Sequence, residues 1–298
     1  MPRFRVRTLG LALAASVLVL AGCGGSDGSG SGRSGPTVTK DDRLAAMVPA
    51  EVSKDGTVVI GTDASYAPNE FFDKDGKTII GMDVDLGNAL ATTFGLKARF
   101  ANAAFDGIIP GLAAGKYELG MSSFTVNPER EKAVDMVTYF TAGTSFATKA
   151  GNPERADVNN LCGKDVAVQR GTVQVDDLAA RWRRCVQEDK PPIVMRQFQL
   201  QTDVTLAVVS GRAVAMLADS PVVAHAVRQT NGQLETIGDS YDNTPYGIAV
   251  PKNKGEFTQA VRQAVQKLID DGSYREILEK WGVEAGAIDK AEINPATR

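Results

Sequence analysis

Two residues of opposite charge stand where helix starts expose side chains to a ligand. Arg130 closes the segment Ser122–Arg130, which reads SSFTVNPER. Asn127 suits a helix N-cap and Pro128 the first helical position, so Arg130 falls one turn in. Its planar fork can take a carboxylate bidentately. The hydroxyls of Ser123 and Thr125, with neighbouring backbone N–H groups, would complete such a site; the alternative is a surface Arg paired with Glu or Asp. Asp219 precedes Ser220-Pro221. With Ser220 as N-cap, Asp219 is left at a strand tip as an acceptor for an ammonium; the alternative is a simple capping carboxylate. Gly171-Thr-Val-Gln174 offers a third helix start, capped by Thr172. One Arg and one Asp on opposite halves match the two ends of a zwitterionic α-amino acid, and only closure of the halves satisfies both charges.

Other chemistries lack their residues. His225 is the single histidine and sits among Val222, Val223 and Ala226 in a helical pattern. No Ser/His/Asp set, metal-ligand cluster or phosphate loop is evident, so the expectation is a binding protein without catalytic residues, metal or cofactor. A formal charge of −3 argues against a nucleic-acid partner.

Residues of this kind need strand ends to hold them, since ligands bind beyond the carboxyl ends of strands in open α/β sheets. Strands are expected at Thr57–Gly61, Leu96–Ala101 and Tyr117–Met121, alternating with helices at Asp83–Phe94 and Phe105–Ala114. The pattern restarts with strands at Asp165–Gln169, Ile193–Arg196 and Val214–Ala218 and helices at Val173–Val186 and Leu200–Ser210. A short strand at Tyr246–Val250 and helices at Glu256–Ile269 and Ser273–Trp281 follow. Strand–helix repetition of this kind indicates parallel sheets in an α/β fold with two lobes. The inserted second lobe implies two crossovers and hence a hinge.

The N-terminus carries Arg3, Arg5 and Arg7, then an apolar run from Leu11 to Leu20 too short for a comfortable membrane span. The domain expectation is a signal peptide over 1–22, a flexible Gly/Ser tether over 23–43, a first lobe over 44–145 and 244–298, and a second lobe over 146–243. Leu20-Ala-Gly-Cys23 resembles the lipobox of bacterial lipoproteins, which implies lipidation of Cys23. In an exporting compartment Cys162 and Cys185 are expected to bridge; two unpaired buried thiols are the alternative.

Five ordered motifs, Gly61–Pro68 (GTDASYAP), Gly81–Leu86 (GMDVDL), Phe105–Pro110 (FDGIIP), Gly115–Leu119 (GKYEL) and Pro128–Arg130 (PER), give the chain a family likeness. It resembles the family 3 solute-binding proteins of polar amino-acid ABC transporters over about residues 55 to 283. The resemblance implies a two-lobed type II periplasmic-binding-protein fold with two hinge crossovers. It also implies roles: Arg130, Ser123 and Thr125 on the ligand's α-carboxylate, Thr172 reaching it across the cleft, and Asp219 on the α-ammonium. Asp63, Tyr66 and Phe105 would line the side-chain end, with Gln169 opposite. The implied partners are a free polar amino acid, an ABC permease and the membrane through the lipid anchor, with the protein a monomer held extracytoplasmically. An amino-acid sensor for a separate receptor, or a dehydratase-like enzyme on the same fold, are the alternatives. Asn69 stands where many members carry an aromatic residue, and is expected to alter the pocket wall.

Overall fold

The computed structural model describes residues 38–295. The expected signal peptide, Cys23 and most of the tether lie outside the described residues. Helices α1 (Asp42–Ala46) and α2 (Ala50–Ser53) come first, so α1 begins inside the stretch expected as tether. It does so because Asp41 caps it, accepting from the N–H groups of Arg43 and Leu44, and because Leu44 is fully buried.

The first lobe then lays down β1 (Thr57–Thr62), the small strands β2 (Ser65–Tyr66), β3 (Glu70–Phe72) and β4 (Ile79–Ile80), α3 (Met82–Thr93), β5 (Lys97–Asn102), α4 (Phe105–Ala113), β6 (Leu119–Gly120) and α5 (Pro128–Ala133). A long strand, β7 (Val134–Lys149), leads to the second lobe: β8 (Asp165–Gln169), α6 (Val173–Gln187), β9 (Val194–Phe198), α7 (Gln201–Val209), β10 (Ala215–Asp219) and α8 (Ser220–Gln229). A second long strand, β11 (Leu234–Pro251), returns to the first lobe, followed by α9 (Gly255–Asp270) and α10 (Ser273–Trp281).

The main sheet runs β5-β1-β6-β11-β7-β10-β8-β9. β1 is parallel to β5 and β6 in one lobe, and β8 is parallel to β9 and β10 in the other. The antiparallel pair β7/β11 joins them, with Val134 opposite Pro251 at one end and Lys149 opposite Leu234 at the other. Register shifts on either side of Tyr241 mark the crossover, and from Thr144 onward β7 also pairs with β10. The two crossovers expected of the fold are therefore the middles of these two strands. Gly143 sits there because a Cβ on it would lie 2.4 Å from Ser240 Oγ and 2.5 Å from Asn243 Oδ1.

Each lobe has its own apolar filling. Ile60, Leu90, Leu119, Phe257 and Leu278 are among the buried residues of the first, and Val166, Val204, Val208, Met216 and Val223 of the second. Tyr66 is the exception: it belongs to first-lobe strand β2 yet packs among second-lobe residues such as Val204 and Met216. Cys162 and Cys185 form a disulfide beside Leu161, Val166 and Leu178.

Candidate functional site

Between the lobes lies a small, nearly closed cavity. All nine residues expected at a ligand site line it: Asp63, Tyr66, Phe105, Ser123, Thr125 and Arg130 from the first lobe, and Gln169, Thr172 and Asp219 from the second. Glu70, Val173 and Gln174 also line it and were not anticipated.

Arg130 is positioned as its sequence implies. Asn127 caps α5, its Oδ1 accepting from Arg130 N at 2.9 Å. The guanidinium is wedged beside two stacked rings, 5.2 Å from the Phe105 centroid and 5.5 Å from that of Phe124. Nη1 donates to Thr125 O at 2.8 Å, and Nη2 reaches across the cleft to Gly171 O at 3.2 Å. Among the described residues it forms no ion pair, which removes the surface-pair alternative. Burial pulls its pKa down to about 10 while Asp219 and other nearby acids pull it back up, so it is charged at neutral pH. Phe124 was not singled out in the sequence, although it stands inside the SSFTVNPER segment.

Asp219, not Ser220, is the N-cap of α8, yet its carboxylate makes no capping hydrogen bond. Instead Oδ2 accepts from Tyr246 OH at 2.7 Å and Oδ1 from Gln174 Nε2 at 2.7 Å. Its backbone N–H donates to the Tyr66 hydroxyl across the cleft at 3.1 Å. The capping-carboxylate alternative is thereby excluded. Burial raises its pKa, countered by the Tyr246, Gln174 and Tyr66 hydrogen bonds and by the charge of Arg130. Thr172 likewise departs from expectation: it starts α6 without a side-chain cap, its hydroxyl donating to Gln169 O at 2.8 Å.

Asp63, at the end of β1, is buried and well supplied with donors. Its oxygens accept from Ser65 Oγ at 2.6 Å, from Phe105 N at the start of α4 at 2.9 Å, and from Gln169 Nε2 of the other lobe at 3.1 Å. Burial nevertheless raises its pKa. Ser65 Oγ accepts in turn from Gln201 N at 3.0 Å. These bonds across the cleft describe a closed form of the two lobes.

Asn69 is not in the pocket wall, which corrects the expectation drawn from its sequence position. It is fully buried behind Ser123 and donates from Nδ2 to Ser123 Oγ at 2.9 Å. Gly81 permits this approach: its φ is 140°, and a Cβ there would lie 2.1 Å from Asn69 O. The net result is a cavity lined by one cation, Arg130, and three carboxyl side chains, Asp63, Glu70 and Asp219.

Comparison with known proteins agrees with this architecture. The arginine-binding protein ArgT of Corynebacterium glutamicum is 35% identical over 285 residues, covering 95% of this chain and 93% of that protein. Among solved structures, an ancestral arginine-binding protein bound to glutamine superposes with a TM-score of 0.70 at 33% identity, covering 77% of this chain and 99% of that one. The ancestral amino acid-binding protein AncCDT-1, a precursor of cyclohexadienyl dehydratase, gives 0.66 at 36% identity over 78% of this chain and 97% of its own. Residues 58–284 match the model of the bacterial extracellular solute-binding proteins, family 3. A match spanning both lobes and both crossovers means that this chain belongs to the family 3 bacterial extracellular solute-binding proteins.

Proposed function

We propose that the protein captures a cationic α-amino acid, of the arginine type, in its interlobe cleft and hands it to an ABC-type importer. The observation that carries the reading is the charge inventory of the cavity. Arg130, without an ion-pair partner among the described residues, supplies its remaining N–H donors for the α-carboxylate, and Asp219 from the opposite lobe supplies an acceptor for the α-ammonium. Ser123, Thr125 and Thr172 add hydroxyls at the carboxylate end, and Asp63, Tyr66, Phe105 and Gln169 surround the side chain. Glu70 is held protonated by burial and by the nearby Asp83 charge, so two carboxylates, Asp63 and Asp219, face one guanidinium, which favours a ligand with two positive groups and one negative. The names of the relatives, arginine-binding proteins above all, point the same way.

In this reading 44–145 and 244–298 form one jaw, 146–243 the other, and Cys23 carries a lipid that holds the monomer at the outer face of the membrane. The protein works by binding alone, without catalysis or cofactor. Calorimetry with arginine, lysine, glutamine and citrulline tests the assignment. Arginine is expected to bind at least tenfold more tightly than citrulline, its neutral isostere, because a charge-assisted bond is worth about 1.5–3 kcal/mol. Equal affinity for the two would reject a cationic ligand, and glutamine binding best would favour the second reading that the glutamine-bound ancestral relative supports.

A further inference from the structure

Beneath the carboxylate end of the cleft lies a polar cluster that ligand contacts alone do not explain. Asn69, Glu70 and Asp83 are fully buried, and Ser123 is 3% exposed. Glu70 Oε2 and Asp83 Oδ2 lie 3.2 and 3.5 Å from the same atom, Ser123 Oγ. Asp83 has the stronger donors: Tyr139 OH at 2.8 Å and Ser123 N at 2.9 Å. Glu70 has Ser122 Oγ at 2.9 Å, and that hydroxyl also accepts from Asp63 N. Among the described residues neither carboxyl has a cation within ion-pair distance. The titratable groups that act most on Glu70 are Asp83 from α3 and Asp63 from the end of β1, with Tyr66 from β2 and Tyr139 from β7 also close, all acidic, while Arg130 and Asp219 line the same cavity.

Two buried carboxyls sharing a hydroxyl and lacking a cation cannot both ionise at modest cost. Asp83, the better supplied with hydrogen-bond donors, keeps the charge and Glu70 keeps the proton. Burial and the Asp83 charge push Glu70 well above the usual carboxyl range, while Asp83 is pushed up to about 6.

Ser123 is where this matters. Its backbone is held in the left-handed region, φ 51°, an arrangement that non-glycine residues adopt at a cost and that clusters at ligand sites. A hydroxyl offers one proton and two lone pairs. The Asn69 amide takes one lone pair at 2.9 Å. If Glu70 is protonated, its O–H turns to the Asp83 carboxylate, to which it is hydrogen-bonded, and the Ser123 proton is free to point into the cavity. If both acids are ionised, that proton must turn back toward a carboxylate and the cleft loses a donor.

We propose that one proton shared by Glu70 and Asp83, together with the Asn69 amide, makes Ser123 a hydrogen-bond donor to the ligand's carboxylate, so that ligand binding is linked to proton occupancy of this pair. Glu70 and Asn69 are positioning residues acting through Ser123. The inference rests on the reading above, in which the cleft receives an α-carboxylate.

The test is arginine affinity from pH 6 to pH 10 for the wild type, Glu70→Gln and Asn69→Leu, with carboxyl-carbon NMR on wild-type protein labelled at glutamate. In the wild type, affinity is expected to fall as the pair loses its proton. Glutamine, a permanent neutral donor, removes that fall, so the ratio of wild-type to Glu70→Gln affinity drops roughly tenfold toward high pH, the worth of one hydrogen bond. Taking the ratio cancels titration of the ligand's own ammonium. Asn69→Leu is expected to weaken binding roughly tenfold at neutral pH. The NMR spectrum should show one glutamate, assigned to Glu70, still protonated at pH 7.5, and this arm stands even if the variants fold poorly. Parallel pH profiles for wild type and Glu70→Gln, or an ionised Glu70 at pH 7.5, overturn the proposal. Wild-type protein that binds no amino acid would instead overturn the functional reading on which it rests.

Discussion

Replacing Arg130 by lysine keeps the positive charge and removes the fork, which isolates what the geometry contributes. The guanidinium has five N–H donors, and its hydrogen bonds to Thr125 O and Gly171 O leave others for a ligand carboxylate. Lysine cannot reproduce a bidentate contact, costing one charge-assisted hydrogen bond, about 1.5–3 kcal/mol. It also gives up most of the stacking beside Phe105 and Phe124, whose centroids lie 5.2 and 5.5 Å away. That interaction is worth about 1 kcal/mol more at a half-buried position. The sum, roughly 2.5–4 kcal/mol, corresponds to a rise in Kd of about 60- to 700-fold at about 1.4 kcal/mol per tenfold. Calorimetry with arginine at pH 7 reads it, with thermal melting as the control for folding. A correctly folded Arg130→Lys protein binding arginine within threefold of the wild type would refute the claim that the fork holds the carboxylate.

Two further perturbations separate the jaws from the grip. Replacing both Cys162 and Cys185 by serine opens a bridge between residues 23 apart in sequence and is expected to cost about 3 kcal/mol, lowering the melting temperature by roughly 6–12 °C. Neither cysteine lines the cavity, so arginine affinity should stay within about threefold, and a large loss would mean that the bridge shapes the site itself. Gly143→Ala forces a Cβ to within 2.4 Å of Ser240 Oγ at the crossover. Small-angle scattering of the arginine-saturated variant should report a larger radius of gyration than wild type, and an unchanged closed form would show that the crossover yields without opening the lobes.

Much of the site was legible because it is written in local signals. The Asn127-Pro128 start of α5 placed Arg130, and the strand end before Ser220-Pro221 placed Asp219. What was missed comes from convergence of distant segments. Tyr246 reaches Asp219 from the far half of β11, and Gln174 reaches it from the first turn of α6. No spacing in the sequence brings those positions together. The two crossover strands were missed in length for a related reason. Val134–Lys149 was not read as a strand, and of Leu234–Pro251 only Tyr246–Val250 was. Each strand changes neighbours midway, from one lobe's sheet to the other's, so its burial follows no single alternation; much of β7 is buried on both faces. Asn69 was read as a wall residue because it follows the Ala-Pro pair. The chain instead turns at Gly81 so that Asn69 backs Ser123.

The closed form poses an electrostatic problem that a ligand resolves. The direct bonds across the cleft include Tyr66 with Asp219 N, Tyr246 with the Asp219 carboxylate, Gln169 with Asp63, Gln199 with Asp106, Gln201 N with Ser65, and Arg130 with Gly171 O. Against them stands the cost of withdrawing a guanidinium and nearby carboxylates from water without pairing them. The Arg130 pKa is depressed, and those of Asp63 and Asp219 raised, for that reason. In the open form these groups regain solvent and the penalty falls. The proposed ligand, a zwitterion with an added positive charge, is expected to bind the closed form better, because only there do both lobes reach it. The equilibrium then shifts by no more than that difference in affinity. In the proposed reading closure is thus coupled to the charge pattern of the ligand, and a neutral or acidic solute of the same size is expected to leave buried charge uncompensated and the jaws apart.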